Sequence, residues 1–438
     1  MMPRAINARH VLYCPGYDAA ATSRYRRLFI EAFARLAEQF AIERDIGPVQ
    51  GDEVVPSIRW AVAAGNREWR TETIYEVLRW DDLIQRDLNR TWLKRGPLLL
   101  AGLVAAIRER MISRLFRIDW HFALLLFYPV VALLALVIAA PLIAYGITCL
   151  IELALPLPAA ATGVLIVAFA AVLIRAVQPL VRRAYIYHVM DDWIFNRQNA
   201  LGKRPDFDAR LDRFARRVVA AVRNGSAQEV VIVGHSTGAI AAVETMARAL
   251  ALDPELGRQG PTLALLTVGS RIPVAGLWSS ARQLREAITR LAIEPSVLWA
   301  DYQAPQDVFN AFRFDPVRDL RLDLGARARV NPVIRSPRFK EVLLPGTYRR
   351  RRWNFFRMHF QFLSADEVPG EYDYLMMTCG PVSLADRISD PAAAVNRAYG
   401  PTDQRMGCTV IGSASPGRNV SRQTGSTTAP ADSCSRTR

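Results

Sequence analysis

The stretch EVVIVGHSTGAIAAVETMA, residues 229–247, joins a short apolar run to a helical segment through a turn that contains two glycines. The run 230–233 is apolar and rich in valine and isoleucine, which predicts a buried strand. Gly234 and Gly238 predict a tight turn, because bulkier side chains there would collide with the neighbouring strand and helix. A helix is predicted over 239–252, so Ser236 is expected at the carboxyl edge of a sheet, where ligands bind in open α/β folds.

Strand-like and helical segments alternate on both sides of this stretch. The predicted strands are 10–14, 54–61, 73–78, 230–233, 263–268 and 296–300, and the predicted helices are 22–40, 207–222, 239–252 and 282–293. Such alternation predicts an α/β fold, with a mostly parallel sheet and helices on both faces.

Arginine dominates the basic residues of this chain. Its 438 residues include 56 Lys or Arg against 41 Asp or Glu, a formal net charge of +15, and only Lys94, Lys203 and Lys340 are lysines. No helix-turn-helix, zinc-finger or aromatic RNA-binding pattern accompanies the charge, so no nucleic-acid partner is predicted. A basic chain does suit contact with the anionic cytoplasmic face of a membrane.

Neither a disulfide framework nor a metal site is predicted. The cysteines are odd in number and widely spaced, without a Cys-x-x-Cys pair: Cys14, Cys149, Cys379, Cys408 and Cys434. His188, Asp191 and Asp192 have the spacing of metal ligands on a helix, but further ligands are not evident and a solvated helix face is expected. The predicted protein therefore has no metal and no cofactor. The N-terminus lacks the apolar core of a signal peptide, which favours a reducing, cytoplasmic location for the soluble part.

Two long uncharged runs predict a transmembrane hairpin over 121–178. Residues 122–151 contain no charged side chain, and after Glu152 the run 153–174 adds 22 more apolar or uncharged residues. A spanning helix needs roughly 20 such residues, so a hairpin buried in a soluble core is the lesser alternative. Arginines flank the hairpin on both sides and are absent from its turn, so the positive-inside rule predicts both flanks in the cytoplasm. The preceding segment, 95–120, mixes apolar residues with arginines and predicts an amphipathic helix, either on the membrane surface or packed as an ordinary helix.

Ser236 needs a base to become a nucleophile, because a hydroxyl group is weakly nucleophilic at neutral pH. The chain has five histidines, and only His359 follows Ser236 in the sequence; His235 lies inside the turn and is expected to point elsewhere. Asp301, Asp307 and Asp315 follow the predicted strand 296–300 and are the candidate acids.

Together, the turn at 234–238, the aspartates after strand 296–300 and the late histidine resemble the α/β-hydrolase superfamily, and within it membrane-attached serine hydrolases of the lipase/esterase type. The resemblance covers 9–16 and roughly 206–364. It implies the order serine, acid, histidine, with Ser236 as nucleophile and His359 as base. Asp307 followed by Val308 is similar to the acid loop of such lipases and is favoured over Asp301.

The same resemblance implies an oxyanion hole made of two backbone N–H groups. One comes from Thr237, directly after the nucleophile. The other comes from the loop after strand 10–14, at Tyr17 or Asp18, with Tyr17 assigned here.

About 220 residues separate strand 10–14 from Ser236, and the excess contains the hairpin. The resemblance therefore implies a hydrolase domain in two parts, 1–94 and 179–400, interrupted by the juxtamembrane segment 95–120 and the hairpin 121–178. A tail, 401–438, is rich in Ser, Thr, Gly and Pro and is expected to be disordered.

The expected function is that of a serine hydrolase in the inner (cytoplasmic) membrane, with its catalytic domain facing the cytoplasm. It would cleave ester or thioester bonds, with a bilayer lipid as the expected substrate class. An acyltransferase with the same triad and a catalytically silent membrane scaffold are the alternatives. Acyl length, head group and oligomeric state stay open.

Overall fold

The computed structural model describes residues 5–52 and 54–400. The strands are β1 (Ala8–Cys14), β2 (Glu43–Ile46), β3 (Gln50–Asp52), β4 (Ser57–Gly65), β5 (Arg70–Leu78), β6 (Glu229–His235), β7 (Thr262–Val268), β8 (Val297–Tyr302) and β9 (Val333–Arg335). The helices before β6 are α1 (Ala21–Phe40), α2 (Asp81–Leu88), α3 (Trp92–Arg108), α4 (Met111–Ile118), α5 (Trp120–Ala154), α6 (Ala159–Arg183), α7 (Ile186–Ala200) and α8 (Pro205–Asn224). The later helices are α9 (Gly238–Leu252), α10 (Ile272–Gly276), α11 (Arg282–Ala292), α12 (Phe339–Val342), α13 (Pro345–Arg351), α14 (Phe355–His359), α15 (Tyr374–Cys379), α16 (Leu384–Ser389) and α17 (Pro391–Tyr399), with a 3₁₀-helix at Phe360–Leu363 after α14. The predicted tail, 401–438, lies outside the described residues.

All the strands join one mixed sheet in the order β2-β4-β5-β1-β6-β7-β8-β9, and β3 also pairs with β4. Neighbours from β5 to β9 are parallel, whereas β4 is antiparallel to β5, and β2 and β3 are antiparallel to β4. The predicted α/β class and mostly parallel sheet are confirmed. The antiparallel edge was not predicted, because β2 and β3 are short and mostly exposed and therefore lack an apolar alternation.

Successive side chains of β6 enter two hydrophobic cores, one on each face of the sheet. Val230 and Ile232 lie in the core beneath α8, α9 and α11. Val231 and Val233 lie in the other core, beneath α1 and α15. Every residue of β6 is buried, as expected for a parallel strand that is covered on both faces. Ser236 therefore follows the best-protected strand at the centre of the sheet.

Helices α5 and α6 are long and apolar enough to cross a membrane, with 35 and 25 residues. Only 22% and 6% of their most apolar stretches are buried against the rest of the protein, so the alternative of a hairpin buried in a soluble core does not fit. The predicted spans are close to the observed helices, although the turn falls at 155–158 and α6 continues to Arg183.

The base of the hairpin belongs to the core of the sheet domain. Phe122, Ala123 and Leu126 at the start of α5 are buried together with residues of β6 and α9. Asp119 caps α5 by accepting hydrogen bonds from the N–H groups of His121 and Phe122. The juxtamembrane segment forms α3 and α4, and Arg95 of α3 pairs with buried Asp191 of α7, at 2.8 Å. The two apolar helices are thus continuous with elements packed on the sheet.

The turn after β6 leaves no room for a side chain at Gly238. A Cβ atom there would collide with the main-chain oxygens of Cys14 and Pro15 at the end of β1. We expect Gly238→Ala to lower the free energy of unfolding by about 3 kcal/mol, the upper end of the usual range for overpacked sites, because rigid backbone must move. Urea unfolding of the detergent-solubilised protein, followed by tryptophan fluorescence, measures the change.

Gly346→Ala is the matched control, because an added Cβ there meets no atom within 4 Å. Equal stability of the two variants would contradict the close approach of α9 to β1.

Candidate active site

Ser236 occupies a strained turn between β6 and α9. Its φ angle is +59°, in the left-handed region that is costly for a residue with a side chain. Three backbone hydrogen bonds fix the turn. Ser236 N–H donates to the carbonyl of Val268, at 3.1 Å, and the carbonyl of Ser236 accepts from the N–H groups of Ala239 and Arg271, at 3.1 and 3.2 Å. This geometry raises the serine above the carboxyl ends of β6 and β7, as the strand–turn–helix pattern predicts.

His359 and Asp307 form a buried pair, although 52 residues separate them in the sequence. His359 Nδ1 lies 2.7 Å from Asp307 Oδ2, and their side chains are 7% and 0% exposed. The other oxygen of Asp307 accepts a hydrogen bond from Phe309 N–H, at 2.9 Å, which holds the carboxylate in place. A carboxylate on Nδ1 favours the tautomer whose Nε2 is free to accept a proton.

The other two candidate acids have different partners. Asp301, at the end of β8, accepts hydrogen bonds from Thr267 and from Gln303, and burial raises its pKa to about 6. Asp315 pairs with Arg329 at 2.7 Å. Among the described residues, Asp307 is therefore the acid that meets His359.

Ser236 and His359 line one cavity of about 270 Å³, which Tyr17 and Thr237 also reach. The Ser236 hydroxyl forms no hydrogen bond with any described residue, so it and the imidazole share the cavity without direct contact. Catalytic hydrogen bonds are often loose in a site without substrate and tighten when substrate binds. The structure thus brings together the predicted nucleophile, base, acid and oxyanion donors in one place.

The two predicted oxyanion donors are buried N–H groups without an acceptor. Thr237 is 2% exposed and Tyr17 is 5% exposed, and neither backbone N–H bonds to another described residue. Buried N–H groups are rarely left unpaired. Tyr17 follows β1 and Thr237 follows β6, and these strands are direct neighbours, so both groups reach the same edge of the sheet.

Helix α7 supplies a part of the site that the sequence analysis placed wrongly on a solvated face. Asp192 is buried; its Oδ1 accepts a hydrogen bond from the Thr237 hydroxyl, at 2.9 Å, and its Oδ2 pairs with Arg271, also at 2.9 Å. His188 lines the cavity, its ring 5.5 Å from that of Tyr17, and burial lowers its pKa, which favours the neutral form.

The sequence does contain a sign that this part of α7 is buried. Asp191 and Asp192 lie within the run VMDDWIF, in which all the other residues are apolar. Asp191 and Asp192 are both buried because arginines distant in the sequence, Arg95 and Arg271, supply the opposite charges. The described residues hold no cluster of ligands suited to a metal ion.

His235 lies against His359 and lines the same cavity. The expectation that it points away from the site is therefore wrong. The two imidazole ring centroids are 4.5 Å apart, and His235 Nε2 lies 3.4 Å from the main-chain oxygen of His359. Burial, and then the neighbouring imidazole, hold the pKa of His235 well below its usual range. The neutral imidazole of His235 therefore packs against the ring of His359.

No family model, curated protein or solved structure matches this chain. A serine on a strained turn, an imidazole held by a carboxylate and two unpaired N–H groups are the parts that activate a hydroxyl nucleophile and stabilise an oxyanion.

The pairing of His359 with Asp307 predicts a clear ranking of two variants. Asp307→Asn should slow the reaction of Ser236 with a fluorophosphonate probe by about 10³–10⁴-fold, since an amide favours the wrong imidazole tautomer. Asp301→Asn should leave the rate within a few-fold of the parent, because Asp301 contacts Thr267 and Gln303 instead. The labelling rate is measured by intact-protein mass spectrometry, with circular dichroism to establish that both variants fold. The reverse ranking would assign the orienting role to Asp301.

Proposed function

We propose that this protein is a membrane-anchored serine hydrolase of the α/β-hydrolase type, which cleaves an ester or thioester bond of a lipid. The observation that carries the proposal is the buried hydrogen bond between His359 and Asp307, at 2.7 Å, beside the cavity that also receives Ser236. The strained serine turn, in the strand–turn–helix setting of a nucleophile elbow, supports it.

In this mechanism, Ser236 Oγ attacks the carbonyl carbon of the substrate while His359 Nε2 takes the hydroxyl proton. Asp307 accepts the hydrogen bond from Nδ1–H and stabilises the imidazolium that forms. The N–H groups of Thr237 and Tyr17 donate to the oxyanion of the tetrahedral intermediate. His359 returns the proton to the leaving alcohol or thiol, and the same base then activates water to release the acyl group.

A second, more apolar cavity supports a lipid as the substrate. It has a volume of about 620 Å³ and adjoins the first, since Tyr185, Val189, Phe309 and Phe356 line both. Leu125 and other residues at the base of α5 line its far side. An acyl chain that leaves the bilayer along α5 would therefore meet an apolar path towards Ser236.

The rim of this second cavity carries aromatic and basic side chains. Trp353 and Phe355 are 73% and 45% exposed, although large aromatic residues usually bury most of their surface. They follow the arginine run 349–352, which suits anionic head groups in a cytoplasmic leaflet. Exposed aromatic residues beside a basic run are typical of a membrane–water interface. This arrangement supports a catalytic domain that faces the cytoplasm and touches the bilayer.

The role of Ser236 is tested directly by substitution. Ser236→Ala should abolish both ester turnover and fluorophosphonate labelling, because no other hydroxyl group is proposed to form the acyl-enzyme. Ser23→Ala, near the same cavity on α1, is the control and should retain both. Undiminished labelling of Ser236→Ala would show that the nucleophile lies elsewhere. Labelling of the parent without turnover on esters, but with acyl transfer to an added alcohol, would favour the acyltransferase alternative.

The apolar cavity predicts a preference for long acyl chains. Replacing both Trp353 and Phe355 with Gln should lower turnover of a long-chain ester about ten-fold, the scale expected when a little over 1 kcal/mol of apolar contact is lost. Butyrate ester turnover should stay within two-fold, because both residues lie outside the catalytic cavity. Both esters are compared by product analysis in anionic vesicles.

Phe116→Gln is the control for exposed aromatic surface, because Phe116 on α4 is 40% exposed and lines neither of these cavities. An unchanged ratio of long-chain to butyrate turnover in the Trp353/Phe355 variant would rule out this cavity as the acyl path.

A further inference from the structure

Seven arginines crowd around two adjoining cavities beside the start of α5. We call them the juxtamembrane arginine cluster: Arg110, Arg114, Arg117, Arg285, Arg313, Arg318 and Arg321. The cavities have volumes of about 460 and 390 Å³, and Arg114, Arg117 and Arg321 line both. Neither cavity shares a residue with the catalytic cavity, so the cluster is a separate feature of the molecule.

The cluster carries far more positive than negative charge. Glu109 and Asp319 are the carboxylates that line its cavities. Asp319 pairs with Arg318, at 2.9 Å, and Glu109 instead accepts hydrogen bonds from the N–H and hydroxyl groups of Ser279. Within residues 5–52 and 54–400, no carboxylate forms an ion pair with the other six arginines. A concave surface with this imbalance attracts an anion.

Three members of the cluster donate hydrogen bonds to backbone carbonyl groups, and one of them is Arg318, which donates to the carbonyl of Arg313 at 3.1 Å. Arg114 donates to the carbonyls of Leu277 and Asp319, at 3.1 and 3.3 Å. Arg285 donates to the carbonyls of Gly276 and Leu320, at 3.2 and 2.7 Å. These contacts use only part of each guanidinium, which has five N–H donors. Burial, together with the charges of Arg285 and Arg321, lowers the pKa of Arg114, and the charge of Glu109 opposes this shift only in part, so the positive charges of the cluster repel one another.

The cluster lies where the chain enters the apolar hairpin. Helix α4, which carries Arg114 and Arg117, ends at Ile118, and α5 begins two residues later at Trp120. Trp120 is 54% exposed, and tryptophan is enriched at the level of lipid head groups. Charged groups within one or two helical turns of such a residue lie at head-group depth when α5 spans a bilayer. Arginine binds phosphate well, because its planar fork matches two phosphate oxygens.

We propose that the juxtamembrane arginine cluster binds the phosphate of an anionic membrane lipid, and thereby ties α4 and the start of α5 to the α10–α11 region of the sheet domain. The position beside Trp120 favours a lipid over free phosphate, because the acyl chains can follow the exposed apolar surface of α5. The proposal does not depend on catalysis, since it concerns a separate cavity and predicts a binding and stability effect.

The test uses the full chain purified in a mild detergent. Dioctanoyl phosphatidylglycerol should raise its thermal unfolding temperature by several degrees, because a ligand that binds only the folded state stabilises it. Dioctanoyl phosphatidylcholine at the same concentration should have little effect, and added salt should weaken the response to the anionic lipid. Inorganic phosphate is the third ligand in the comparison.

The variant replaces both Arg117 and Arg321 with Gln, because both are exposed and their side chains form no hydrogen bond or ion pair within the described residues. We expect its affinity for phosphatidylglycerol to fall about 30-fold, because each arginine near an anionic lipid contributes about 1 kcal/mol and two are removed. The control replaces Arg67 and Arg70 with Gln, which changes the net charge equally at exposed sites outside both cavities. The control should bind like the parent protein.

Three results would overturn the proposal. The first is an equal response of the parent and the Arg117/Arg321 variant to phosphatidylglycerol. The second is an equal response of the parent to phosphatidylcholine, which would indicate an effect of detergent or chain alone. The third is full stabilisation by inorganic phosphate, which would assign the cluster to a soluble anion.

Discussion

The close packing of the β6–α9 turn against the end of β1 is the constraint on which the candidate site depends. The Cα of Gly238 lies so near the carbonyl oxygens of Cys14 and Pro15 that there is no room for a Cβ atom at this position. Beside this contact, Ser236 has a left-handed conformation, with a φ angle of +59°. The loop after β1 reaches the same edge, where Tyr17 and Thr237 line one cavity. The proposed nucleophile and both proposed oxyanion donors thus lie close to this one steric contact.

The apolar hairpin is structurally joined to this site through α7. Helix α7 follows the hairpin directly and carries Asp192, which holds the Thr237 hydroxyl on one oxygen and Arg271 on the other. Arg271 in turn lies 5.7 Å from the centre of the Phe122 ring, and Phe122 is buried near the start of α5. A change in the tilt of α5 would therefore act on Thr237, the residue after the proposed nucleophile, through three contacts. The apolar hairpin is thus connected to the candidate site by side-chain contacts as well as by the chain.

Buried charge is handled differently in the two polar regions near the hairpin. Around α7, Asp191 and Asp192 each meet an arginine, so charges withdrawn from water are compensated within the protein. Around α4, six arginines have no carboxylate partner in the described part of the chain, and backbone carbonyls alone hold the two that are half-buried. The first arrangement is charge-compensated, whereas the second carries an excess of positive charge. This contrast is the physical basis for placing a ligand at the juxtamembrane arginine cluster and none at the acid pair of α7.

The sequence by itself determined the features that depend on neighbouring residues. Local periodicity, run length and glycine spacing predict the alternation of strands and helices, the two apolar helices and the turn at Ser236. The structure confirms the α/β class and the two helices of membrane-spanning length. The tertiary structure alone decided which groups meet. Asp301 and Asp307 are six residues apart and chemically identical, and only the course of the loop after β8 brings Asp307 to His359. The polar pattern of α7 resembles a solvated face, and it becomes buried because Arg95 and Arg271, far away in the sequence, neutralise its two aspartates. A local sequence pattern indicates the secondary structure that each segment prefers. The burial and pairing of its charged side chains depend on residues that the fold brings in from distant segments.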